Sequence, residues 1–438
     1  MAEIRPFKGI HYNEALIRDL TDVICPPYDI ISPQQREDLY EKSQYNYIRI
    51  EFERELPQDT STVNRYTRSA ETLKTWLSEG ILKQDDKPAL YLHDHYFTRR
   101  DREYRRRNLF ARVRLEEWDK MIVRPHEGTL SDAKSDRLSL LFAMNANTSP
   151  VLSMYQDNGR QITSLLDEES KRQPLFRTAG NNGERHDFWV IDNPDVIRKI
   201  EAALENRPIY IADGHHRYES ALNYRNEQRK NAGESTGEEP YNFVMMSLVE
   251  FSDPGLLILA PHRLVRGIPK ATLSGFASKL KSFFSVEALP LKSPDVWARV
   301  GDLLVYTQKM RMVIFGIDLD NLYVVTLDDP AAVSTMMPYF HSELYKKLDV
   351  SVVDHVILEN LLELSREKEK NNLDYSYEMA DAVQRVLRQE FQLAILLSPV
   401  KPEMIKEISD NRDKMPRKST YFYPKCPSGM IVNRLDTD

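Results

Sequence analysis

The chain has 438 residues, 41% of them hydrophobic and 29% charged, enough apolar material for a buried core and a length that corresponds to about three domains. A formal net charge of −7 argues against a protein that coats nucleic acid, which needs a basic surface, but leaves room for a local positive pocket. Two cysteines, Cys25 and Cys426, supply neither a disulfide framework nor a zinc spacing. The start, Met1 to Arg5, has no charged-then-apolar leader, and no apolar run reaches the roughly 18 residues of a membrane span. A cytoplasmic protein without membrane or nucleic-acid partners is therefore expected.

In chain order, Cys25-Pro26-Pro27-Tyr28-Asp29 is a fixed extended segment, because two successive prolines exclude helix; Cys25 is expected as a small buried residue. A polar helix is predicted over residues 33–42, a strand over Tyr47 to Ile50, and a helix from Thr62 that stops at Gly80. Ala89 to Leu92 reads as a strand. His93 and His95 follow it on one face, but with no third ligand evident they are expected as exposed polar residues. The arginines between Arg99 and Arg107 are expected on a solvated hairpin whose turn lies within Thr98 to Glu103.

The stretch Arg124-Pro125-His126-Glu127-Gly128 is a loop feeding a helix that Thr129 or Ser131 caps and that carries Leu138, Leu141, Phe142 and Met144. His126 and Glu127 thus stand where side chains converge on ligands, with Asp136 and Arg137 further on. A strand is expected over Val151 to Tyr155, an irregular stretch from Asp167 to Gly183, a strand over Phe188 to Ile191, and a helix from Pro194 to Asn206.

Ile209-Tyr210-Ile211-Ala212 then reads as a buried strand that ends at Asp213-Gly214-His215-His216-Arg217, where a helix opens. Gly214 lets backbone approach a ligand, the first free amides and the helix dipole favour an anion, and Arg217 adds a planar fork suited to phosphate. Histidines 215 and 216 can give or take protons. A phosphate or nucleotide site is the expectation. Beyond a polar loop over Asn231 to Glu239 come two apolar strands leading to Pro261-His262-Arg263. Helices Ala271 to Phe284 and Pro294 to Tyr306, strands over Arg311 to Phe315 and Leu322 to Leu327, an apolar helix over Ser351 to Leu364, a helix over Met379 to Gln389 and a strand over Leu393 to Leu397 follow. The basic-aromatic segment from Met415 to Lys425 either clamps a phosphate or base, or docks on the core through its aromatics.

Arg5-Pro6-Phe7, Pro26-Pro27-Tyr28-Asp29, His126-Glu127, Asp136-Arg137, Asp213-Gly214-His215-His216-Arg217, Pro261-His262-Arg263 and Lys418 to Lys425 together resemble the "domain of unknown function 1015" family over nearly the whole chain. Over a shorter span the core motif is similar to the ParB/sulfiredoxin-like superfamily, and within it to free-serine kinases. The resemblance implies phosphate binding by a Gly-x-x-Arg loop at a helix start. His215 stands where sulfiredoxin carries its reactive cysteine, so sulfinic acid repair is not implied. The spacing between Glu127 and Asp213 exceeds that of a minimal domain of this type.

The fold class expected is α+β, with mixed sheets and flanking helices around a ParB/sulfiredoxin-like core, elaborated by extra α/β regions. The expected regions are an N-terminal α/β region (1–115), a phosphate-binding core (116–232), a mixed α/β region (233–345) and a C-terminal helical region with a docking tail (346–438). The activity implied is phosphoryl transfer between a nucleotide or pyrophosphate, with magnesium, and a small hydroxyl substrate, free L-serine or phosphoserine. Glu127, Asp213 and His216 are the catalytic candidates, Glu127 as general base. Gly214, His215, His216, Arg217, His126, Arg137, His262, Arg263, Lys418 and Lys425 are the phosphate candidates; no metal ligand is assigned. Two other readings stay open: a nucleotide-binding regulatory switch with slow hydrolysis, and a non-catalytic scaffold. Oligomeric state is not readable.

Overall fold

Short β-branched and aromatic runs pair into sheets and amphipathic runs close over them. The computed structural model describes residues 2–129, 131–180, 183–233, 236–305, 309–365, 369 and 371–436. The architecture is mixed α+β, as expected. Contacts group the chain into two compact units: Met1–Pro125 with Thr129–Leu257 and Pro424–Asp438, and His126–Gly128 with Ile258–Tyr423.

The first unit is built on a nine-stranded sheet. Its strands are β1 (Ile4–Arg5), β2 (Leu90–Arg99), β3 (Arg102–Arg114), β4 (Val123–Arg124), β5 (Val151–Tyr155), β6 (Phe176–Ala179), β7 (Arg185–Ile191), β8 (Ile209–Asp213) and β9 (Phe243–Glu250). The order is β4-β8-β5-β9-β3-β2-β7-β6, with β1 on β3. Pairs β4–β8 and β5–β9 are parallel and the rest antiparallel. Alternation along the strands sends Leu90, Leu92, Leu109 and Ala111 into one apolar cluster, and Tyr91 and Phe110 into another, so both faces are buried.

Helices Pro33–Lys42 (α1), Arg65–Ser78 (α2) and Ser131–Met144 (α3) contribute Leu39, Trp76 and Leu140 to the second cluster. Helices Gln161–Glu169 (α4), Pro194–Leu204 (α5) and His215–Ala232 (α6) contribute Ile162, Ile200 and Tyr218 to the first. Cys25 is buried, as expected.

Three expectations need correction here. Residues Ile48–Glu51 are a helical turn, not a strand, because Asn46 Oδ1 accepts the N–H of Ile48 and starts it. The stretch after Asp167 is not wholly irregular, since α4 runs to Glu169 and β6 follows. The arginine hairpin does turn at Arg100 and Asp101, but Arg106 and Arg107 are buried rather than solvated. Arg107 is held by Asp94 through bonds of 2.7 and 2.6 Å.

The second unit carries a six-stranded sheet of β10 (His262–Val265), β11 (Ser285–Pro290), β12 (Met310–Phe315), β13 (Asn321–Leu327), β14 (Leu373–Ser376) and β15 (Leu393–Leu396), in the order β11-β13-β12-β15-β10-β14. The predicted helix over 351–364 exists in altered form: an α-turn, Asp349–Val352, runs on as a π-helix over Val353–Leu361. A cavity of about 480 Å³ in this unit is lined by Lys347, Asp349, Ser398, Lys401, Glu403 and neighbouring side chains.

Candidate functional site

In the first unit the strand β8 ends at Asp213 and α6 begins at His215, as the sequence led us to expect. Between them Gly214 adopts φ +94°, the left-handed region that favours glycine. The tightness of the turn shows in its neighbours. A Cβ at position 214 would lie 2.9 Å from Nε of Arg217.

The Arg217 fork donates Nη2 to Asp213 Oδ2 at 2.8 Å, and its Nη1 donates to the carbonyl of Pro150. Lys425 reaches the other oxygen of Asp213, and its Nζ lies 3.7 Å from Asp29 Oδ2. Burial alone would push the Asp213 carboxyl up, but the charges of Lys425 and Arg217 outweigh it and hold the group well below the usual carboxylate range. Burial likewise disfavours charge on Lys425, and Asp213 and Asp29 more than restore it.

Beside this cluster Arg137 lies 3.8 Å over the ring of Tyr28. It donates Nε to Asp136 at 2.8 Å and stands 3.7 Å from Glu51 Oε1. Asp136 also accepts from Tyr66 at 2.8 Å. Glu51 is fully buried; desolvation pushes its carboxyl up against the pull of Arg137 and Arg217. A cavity of about 40 Å³ is lined by Arg137, Thr148, Ser149 and Arg217 with apolar neighbours. Arg106 donates to the carbonyl of Pro424 at 2.8 Å, fixing the backbone one residue before Lys425. Cys426, next in line, is pushed up to about 11 by burial, so it is a thiol rather than a thiolate nucleophile.

His215 is buried and His216 half-buried at the helix start. Thr129 donates to Glu219, and the helix cap that Thr129 or Ser131 was expected to supply lies outside the described residues.

The remaining candidates belong to the second unit. His126 is buried, with Nε2 3.1 Å from Thr420 Oγ1. Glu127 Oε1 accepts the N–H of Lys418 at 3.2 Å. His262 Nδ1 accepts the N–H of Leu397 at 3.1 Å. Arg263, fully buried, donates to the carbonyls of Pro261 (2.7 Å) and Lys418 (3.0 Å). His262 and Arg263 thus hold backbone, and the Lys418 side chain is exposed.

The sequence reading assigned no role to Tyr28, Asp29 or Glu51. The run Pro26-Pro27-Tyr28-Asp29 was the available signal for the first two; nothing local marks Glu51. His93 and His95 depart most from expectation, since both are wholly buried rather than exposed. His93 Nε2 lies 3.0 Å from His186 Nδ1, and His95 Nε2 lies 2.7 Å from Glu184 Oε2. Burial holds all three imidazoles well below the usual histidine range.

No curated protein is similar enough to align with this chain. Among solved structures, a mutant free serine kinase in complex with AMP aligns at 10% identity over 72% of this chain and 86% of that one, with a TM-score of 0.33. A conserved hypothetical protein from Pyrococcus furiosus aligns at 12% identity over 74% and 95%, with a TM-score of 0.35. SbnI with C-terminal truncation from Staphylococcus aureus aligns at 11% identity over 75% and 90%, with a TM-score of 0.34. At such scores the likeness carries no argument about chemistry, which rests on the residues themselves. Among the described residues no helix is long and apolar enough to cross a membrane. The family described as "Protein of unknown function (DUF1015)" matches residues 4–351, and the chain belongs to that family.

Proposed function

We propose that the chain is a phosphotransferase that moves a phosphoryl group between a nucleotide or pyrophosphate and a small hydroxyl substrate, free L-serine and phosphoserine being the pair. The observation that carries the reading is the meeting of Arg217, Lys425 and Asp213 at the start of an 18-residue helix opened by a left-handed glycine. Phosphoryl transfer asks a protein mainly for positioning and charge stabilisation, and this cluster offers both. The amides after Gly214, the Arg217 fork and the Lys425 ammonium take the phosphate oxygens. His215, His216 and Arg137 are assigned to the same shell.

The 40 Å³ cavity has room for water rather than a nucleotide. Phosphate entry therefore replaces the bonds that Arg217 makes to Asp213 and to the Pro150 carbonyl. Asp213, released, orients the acceptor or holds its ammonium group. Glu127 is the proposed general base, on the strength of its carboxylate in a loop before a helix. Magnesium that enters with a nucleotide is held mainly by water and phosphate oxygens, where it neutralises charge.

Phosphorus NMR tests the reading on purified protein with magnesium, with ATP, ADP, CTP and pyrophosphate as donors to serine and with phosphoserine for the reverse direction. Phosphoserine is expected to form or disappear. Glu127→Gln should abolish turnover and keep donor binding, whereas Arg217→Ala should lose both. Donor binding without transfer in any combination would replace the enzyme by a nucleotide switch.

A further inference from the structure

The buried histidines of the first unit form a group apart from the phosphate cluster. In β2, His93 and His95 are two residues apart and share a face. In β7, His186 is the direct antiparallel partner of His95, and Glu184 precedes it by two. One donor atom each from His95, Glu184 and His186 lies within 4.8 Å of the others. The oxygen of Glu184 is 2.7 Å from His95 Nε2 and 3.9 Å from His186 Nε2. Among the described residues this is the sole group of three or more such side chains with this spacing.

We propose that His95, Glu184 and His186 bind one divalent transition ion of the zinc class, with His93 as the residue that orients His186. Two imidazoles and one carboxylate are the donor set of an open zinc site, whose ligand atoms stand about 3.4 Å apart for bonds of about 2.1 Å. The three observed atoms need adjust only modestly to reach that spacing. The set is too rich in nitrogen for magnesium or calcium, which take oxygen.

Two further features fit an ion. His93 Nε2 faces His186 Nδ1 at 3.0 Å, the outer hydrogen bond that fixes a ligating imidazole with its second nitrogen toward the metal. Position 180 is glycine, and a Cβ there would lie 2.6 Å from His186 Nε2, so any other residue would crowd the donor atom. Arg106 opposes the ion. Its Nη2 lies 3.3 Å from His95 Nδ1, and ligation at Nε2 moves the ring proton to Nδ1, facing that donor. Arg106 must then turn Nη2 away while Nη1 keeps the Pro424 carbonyl. The site is thereby linked to the backbone that presents Lys425.

The test uses the full-length chain, stripped with a chelator and titrated with Zn²⁺ and Co²⁺. We expect one tightly bound ion by mass spectrometry, a cobalt visible spectrum of an imidazole-carboxylate site, and no competition from magnesium. Glu184→Gln keeps the volume and a hydrogen bond to His95, so its far-ultraviolet dichroism should match the parent chain while zinc affinity falls more than 100-fold. His93→Phe, among Phe110 and Phe188, should lose about 10–100-fold as an outer-shell change. Zinc-edge X-ray absorption of the unmodified chain needs no variant: two imidazoles and no sulfur are expected. Absence of a stoichiometric ion, sulfur in the shell, or unchanged affinity in a folded Glu184→Gln chain would each overturn the proposal. The outcome is independent of whether phosphate is transferred.

Discussion

Two half-buried aspartates in this protein titrate in opposite directions from the ordinary carboxylate, and their neighbours decide which. Asp213 has two cations on its oxygens and stays ionised far into acid. Asp349, in the 480 Å³ cavity, has no such cation among the causes acting on it; burial pushes it up to about 7, opposed only by Ser398. In the unfolded chain an aspartate titrates near ~3.9, so above that pH the folded chain binds a proton that the unfolded chain does not. The stability this provides is full below about pH 4 and is lost as pH rises through about 7. The loss is bounded by about 4 kcal/mol, and for a side chain with some solvent access about 2 kcal/mol is expected. Asp349→Asn should remove this slope: urea unfolding followed from pH 5 to pH 8 should show the variant gaining on the parent chain as pH rises. A parallel decline in both would place the titrating group elsewhere.

The strand-to-helix junction of β8 and α6 was legible because its signals are local: an apolar run, a glycine, then polar residues at the helix start. Gly214 gives that element its sharpest test. A side chain there would adopt an unfavoured φ of +94° and meet the Arg217 guanidinium at 2.9 Å. Gly214→Ala should cost about 1–3 kcal/mol in strain and push Arg217 off Asp213. Chemical denaturation reads the first effect, and loss of pyrophosphate affinity reads the second. Where pairing is remote the sequence was mute. His93 and His186 are 93 residues apart, and nothing near His93 announces that β7 will lie beside it. The same holds for Arg106, which reads as part of a charged hairpin until the strand register buries it. The four residues Ile48–Glu51 failed for another reason. Apolar positions over so short a span fit a strand or one helical turn, and the Asn46 side chain decides between them.

At the scale of the chain, each unit has its own apolar clusters. Leu92 and Phe110 belong to those of the first, Phe276 and Leu396 to those of the second. A single unfolding free energy is therefore not a secure measure for the whole protein, and ligand binding is better read by calorimetric titration than by a melting point. If phosphate is bound by Arg217 and Lys425, the determinants of that binding lie in the first unit alone. Phe276→Ala, which empties a fully buried ring position of the second unit, should cost that unit about 3–5 kcal/mol yet leave pyrophosphate affinity within about twofold. Arg217→Ala should lower the same affinity at least tenfold, since an ionic hydrogen bond to phosphate contributes about 1.5–3 kcal/mol. Titration of pyrophosphate into the three proteins at one ionic strength makes the comparison. Equal losses in both variants would mean that binding depends on the second unit as much as on the cluster around Asp213, and the phosphate assignment of Arg217 would have to be withdrawn.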